Sequence, residues 1–154
     1  MIFHSPTKGK LDLEGVIKEL LVFVNGENNG HYKLVIGSDS SARGKTEFVT
    51  ALIIHHVGHG GRYFWHKESE SREMVLRERI YKEVSLSLEL AHKLLKALPP
   101  EDVRDNLEIH LDVGKNGPTR EMIREVVGMV KGSGFNCKTK PNSYGASHIA
   151  DKHV

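Results

Sequence analysis

The chain has 154 residues, 38% hydrophobic and 27% charged, with a formal net charge of +2. This describes one domain with enough apolar material for its own core, and it excludes a disordered or strongly basic chain. The one cysteine, Cys137, excludes an internal disulfide and a cysteine-built zinc site and makes a reducing cytoplasm the expected compartment.

The opening MIFHSPTKGK lacks the basic-then-apolar pattern of a signal peptide. No apolar run approaches the about 20 residues of a membrane helix, so no membrane association is expected. Residues 1–30 read as an N-terminal helical extension: Leu13, Val16, Ile17, Leu20 and Leu21 recur as one helical face, and NGENNG at 25–30 breaks it. Residues 32–39 read as a buried strand closing in Asp39. A turn at Ala42-Arg43-Gly44 leads to a second strand over 46–57, and GHGG at 58–61 turns into a third over 62–68. In that third strand Phe64 is the expected core residue. Tyr63 and Trp65 point the other way.

A long helix is expected over 71–97, with Leu76, Ile80, Val84, Leu88, Ala91 and Leu95 on its apolar stripe and Pro99-Pro100 as its stop. LEIHLDV, 107–113, reads as a fourth strand closing in Asp112. Pro118 stands near the start of a helix over 119–131, a short strand follows at 135–139, and Ser143 is a candidate N-cap for a last helix. The order gives one α/β domain over 1–154, with a mixed five-stranded sheet and an extra N-terminal helix.

Two strands delivering a carboxylate at their ends suggest a ligand site, because open α/β sheets bind ligands at the carboxyl ends of strands. Close carboxylates repel one another unless a cation lies between them, and a hard divalent ion suits oxygen donors. Glu83 borders the apolar stripe of the long helix, and His148 and Asp151, three apart, share a face of the last one. Lys115, Asn116 and Arg120 follow Asp112 into a helix start, where backbone N–H groups favour phosphate. The run HHVGHGG has the residue types of a transition-metal site. His55 and His56 are adjacent on a strand and face opposite ways, however, so solvated hairpin residues are the better reading of these two and His59.

Asp39, Glu83, Asp112 and Asp151, in this order on these elements, resemble the ribonuclease H-like superfamily. The stretches SPTKG, IGSDS, LRERIYKEVSLSLELA, IHLDVGKNGPTR, VVGMVKGSGF and KPNSYGASHIADK are similar to the bacterial YkuK-like family within it. The resemblance implies a nuclease that binds two Mg²⁺ or Mn²⁺ ions through the four acids, with His148 as a fifth catalytic residue orienting water or acting as base. It implies RNA or DNA, including branched or hybrid forms, as partner. Ser40, Lys115, Asn116, Arg120, Lys140 and Lys152 are the expected substrate contacts. The alternative is a catalytically inactive module of the same fold that binds nucleic acid or protein and needs no metal.

Overall fold

The structure is a computed structural model that describes residues 1–25, 32–56, 58 and 60–154, with only the backbone of 102 and 144–147. Most of the NGENNG segment, Val57 and His59 lie outside the described residues. The chain builds strands β1 (Ile2–Ser5) and β2 (Gly9–Asp12), helix α1 (Leu13–Val24), and strands β3 (Tyr32–Arg43), β4 (Lys45–His56) and β5 (Gly60–Glu70). Helices α2 (Leu76–Ala97) and α3 (Pro100–Asn106) follow, then β6 (Leu107–His110), a 3₁₀ turn at Arg120–Met122, α4 (Ile123–Gly132), β7 (Asn136–Lys138) and α5 (Tyr144–His153).

The strands form a single sheet in the order β2-β1-β5-β4-β3-β6-β7. Strands β3, β4 and β5 are an antiparallel meander, and β6 and β7 add parallel to β3. The α/β class and mixed sheet match the expectation, but the sheet has seven strands, not five. The N-terminal extension is therefore a hairpin followed by a helix. Its strands are only four residues each and carry few apolar positions, too few for alternation to show. Tertiary contact decides them: Phe3 is fully buried in the main core, and the Ser5 hydroxyl accepts the Thr7 and Lys8 backbone N–H groups in the turn.

Pro99-Pro100 does end the long helix, but Pro100 also opens α3, since a proline at the first helical position forfeits no hydrogen bond. Alternation along the strands sorts the two faces of the sheet. Leu34, Ile36, Leu52, Ile54, Phe64, Leu107 and Ile109 pack with Val16 and Leu20 of α1, Ile80, Leu90 and Leu94 of α2 and Val126 and Val130 of α4. On the opposite face Val49 and Ala51 pack against Ala150 of α5. Among the described residues no helix is long and apolar enough to cross a membrane.

Candidate active site

Asp39 does not close its strand. β3 runs on to Arg43, paired with β4 throughout. What ends near Asp39 is the pairing on the other side, for the last β3–β6 partners are Gly37 and His110. Asp39 and Asp112 each lie two residues beyond that pair, where the two chains part. Asp112 is held past the end of β6 by backbone bonds from Leu111 N–H to Lys138 O and from Lys140 N–H to Val113 O, both 2.9 Å. By alternation Asp39 shares the face of Val49 and Ala51, the face covered by α5.

Helix α5 brings the remaining partners. Asp39, Asp112, Asp151, His148, Ser143 and Lys140 line one cavity of about 340 Å³. The helix is fastened at its far end by Trp65, whose ring stacks on His153 at 4.1 Å and, on its other side, on His4 at 4.4 Å. Lys67 Nζ donates to the His153 carbonyl at 3.1 Å, a cation at a helix C-terminus. Ser143 precedes the helix as expected, but its side chain makes no capping bond. Replacing Trp65 by Ala removes the stack and part of the apolar seat of α5. Urea unfolding of Trp65→Ala is expected to show a loss of about 2 kcal/mol, below the 3–5 of a fully buried tryptophan because Trp65 is half-buried.

Glu83 reaches the site from the opposite side. It is only 6% exposed, on the sheet-facing side of α2, and accepts a hydrogen bond from the Ser40 hydroxyl at 3.0 Å. Ser40 is thus engaged by an acid rather than open. Behind this pair runs a buried hydroxyl chain: Ser87 to Ser38 at 2.9 Å and Ser38 to Thr50 at 3.0 Å, joining α2, β3 and β4. Arg79 adds a bond from Nη1 to the Ser40 carbonyl at 3.4 Å. Sequence reasoning missed Ser38, Thr50, Ser87 and Arg79 as supports. The available signal was the four-residue step from Glu83 to Ser87 along the apolar stripe, and the parity of Ser38 with Leu34 and Ile36.

Burial is the main influence that pushes the Asp39 carboxyl up to about 6; the Ser40 backbone N–H opposes it, while Asp112 and Asp151 reinforce it. Asp151 is thus close enough to disfavour the ionised form of Asp39. Burial, then the charge of Asp39, pushes Glu83 up to about 8 against the pull of the Ser40 hydroxyl and Arg79. Asp112 holds a cation already: Lys140 Nζ lies 2.7 Å from Oδ1. The donors are all carboxylate oxygens, the chemistry of a hard divalent ion. Among the described residues, however, no three His, Cys, Asp or Glu side chains stand close enough together to enclose one as they are placed.

The expected substrate contacts divide. Lys115 and Asn116 line a second cavity, of about 500 Å³, which adjoins the first through Lys140 and Pro141. Arg120 is exposed on the 3₁₀ turn, and the α-helix itself starts only at Ile123. Lys152 is exposed in the last turn of α5. Neither lines these two cavities.

A family model described as ribonuclease H-like matches residues 15–154. The chain belongs to that family. The match takes in the five strands β3 to β7 and leaves out the β1–β2 hairpin. The ribonuclease H-like chain is also 32% identical, over 98% of its own length and 95% of the relative's, to a protein of Bacillus subtilis (strain 168) named uncharacterized protein YkuK. No solved structure matches it.

Proposed function

We propose that this ribonuclease H-like chain is a divalent-metal-dependent nuclease that hydrolyses phosphodiester bonds of RNA or DNA, acting in the bacterial cytoplasm. The observation that carries the reading is the gathering of Asp39, Asp112, Asp151 and His148 on one cavity, with Glu83 close enough to feel the charge of Asp39. Four carboxylates at such range repel, and a pair of Mg²⁺ or Mn²⁺ ions would relieve that repulsion and supply positive charge to an in-line displacement at phosphorus. Asp39, coupled to the other three acids, would hold the metal together with Glu83, Asp112 and Asp151.

Lys140, which lines the same cavity, would supply positive charge to the substrate phosphate. His148, exposed at the cavity edge, is placed to take the proton of the attacking water, a task for which an imidazole is suited.

Thermal unfolding with and without Mn²⁺ or Mg²⁺ tests the metal. At a hundredfold excess over Kd, binding to the folded state adds about 2.7 kcal/mol, an expected rise in midpoint of roughly 5–10 °C. Assays on single-stranded, hybrid and branched substrates test the activity.

A second reading, the metal-free binding module, is favoured by the lack of a ready three-donor cluster among the described residues and by the Lys140–Asp112 pair. In that case metal leaves the midpoint unchanged and nucleic acid or protein is held without cleavage.

A further inference from the structure

On the side of Asp151 away from Lys140 lies a third cavity, of about 390 Å³. The tip of the β3–β4 hairpin, Lys67 of β5 and the end of α5 enclose it. It shares Asp151 with the acid cavity and no residue with the Lys115 cavity, so the acids lie between the two. Its walls carry Arg43, Lys45 and Lys67 against Glu47 and Asp151, and the Ser40 and Ser41 positions.

The hairpin tip has an unusual composition for a cross-strand pair. Arg43 and Lys45 are register partners directly opposite each other, with Gly44 at φ +77° forming the turn between them. Like charges in that relation destabilise a ladder unless something neutralises them. Lys67 is committed to the protein: it pairs with Glu47 at 2.9 Å and holds the His153 carbonyl. Lys45 reaches Glu47 only at 3.8 Å with its side chain 55% exposed, an interaction of little strength. Arg43 is exposed, and its side chain has no hydrogen bond or ion pair among the described residues. The tip therefore offers one free guanidinium and one weakly held ammonium, side by side, on the rim of a cavity that opens onto the acids.

We propose that Arg43 and Lys45 form a second backbone-binding subsite, which holds phosphates of a nucleic-acid strand on the side of the acids opposite Lys115 and Lys140. The assignment rests on the nuclease reading and extends it. With cations on both flanks, the strand crosses the acid cavity and continues at either end. A guanidinium is suited to the paired oxygens of a phosphodiester, and an ammonium adds a second point charge. The anion also neutralises the repulsion between the two side chains.

The test is fluorescence anisotropy of labelled single-stranded DNA and of the RNA of the same sequence, titrated with the intact protein in EDTA at a series of salt concentrations. Arg43→Gln with Lys45→Gln is compared with wild type. Removing one cation from a phosphate lowers the slope of log K against log salt by about 0.7 for a single strand. The double variant is expected to bind about tenfold more weakly with a slope reduced by about 1.4. Its thermal midpoint should equal or exceed that of wild type, because both residues are exposed and their repulsion is gone. A double variant with unchanged affinity and slope, beside a wild type that binds, overturns this subsite and leaves the nuclease reading intact. A wild type that binds neither DNA nor RNA, in EDTA and again with Ca²⁺ as a non-cleaving stand-in for the divalent ion, overturns both. A difference between the two probes identifies which nucleic acid the subsite takes.

Discussion

Asp39→Asn is expected to abolish the metal-induced rise in thermal midpoint and to lower phosphodiester cleavage well beyond the 10–100-fold typical of losing an outer-shell partner. Asp39 responds to Asp112 and Asp151 and in turn raises Glu83, so its charge is coupled to each of the other three acids. Asparagine keeps the shape but offers a neutral oxygen. Without metal the same change should leave the protein equally or more stable, since it removes one charge from a buried group of acids. Denaturant unfolding in EDTA, unfolding with Mn²⁺ and a cleavage assay together check the three parts. Retention of full metal response by the variant would remove Asp39 from the site.

The second large effect concerns pH. Burial and the charge of Asp39 raise the folded pKa of Glu83 from 4.5 to about 8, and burial with its acidic neighbours raises Asp39 from 3.8 to about 6. Both carboxyls therefore hold protons more tightly folded than unfolded. Between the unfolded and folded values the folded state carries more protons, and stability falls as pH rises. The stabilisation is fully present below the unfolded values and is lost as pH passes through about 6 for Asp39 and about 8 for Glu83. For the buried Glu83 the loss is on the order of a few kcal/mol. Metal-free protein should show a midpoint that drops from about pH 5 to about pH 8. Glu83→Gln should flatten most of that drop, because a neutral amide does not titrate. Saturating Mg²⁺ or Mn²⁺ should flatten it too, because a bound cation favours the ionised carboxyls. A wild-type profile that is flat in EDTA would show that Glu83 is not strained by ionisation.

These two residues also mark the limits of reading a site from the chain. Asp39 was legible as an acid closing an apolar, strand-forming run, and Glu83 as an acid bordering a helical stripe. Both are local patterns that burial enforces. The bond from Ser40 to Glu83 was not legible: the two lie 43 positions apart and meet only where α2 crosses β3. The same holds for the Ser87–Ser38–Thr50 chain, whose hydroxyls in sequence are ordinary small polar residues. Lys140 reads in sequence as a substrate contact, and its place on Asp112 follows from how the backbone after β7 is tied to Val113.

The sequence by itself determined the order of the main strands and helices from α1 onward, α3 excepted, the α/β class, the strand carrying Asp39, the helix carrying Glu83 and the terminal helix carrying His148 and Asp151. Periodicity of 2 and 3.6, broken by Gly and Pro, encodes these choices within short windows. Tertiary structure alone decided the β1–β2 hairpin, the length of β3 beyond Asp39, the point where β6 leaves β3, and the stacking of Trp65 between His4 and His153. Each of those depends on partners far apart in the chain, for a strand of four residues or a ring stack exists only once the neighbour that pairs with it has arrived. The site belongs to both: local pattern supplied its acids, and the parting of two strands at Gly37 and His110 gave them a common cavity.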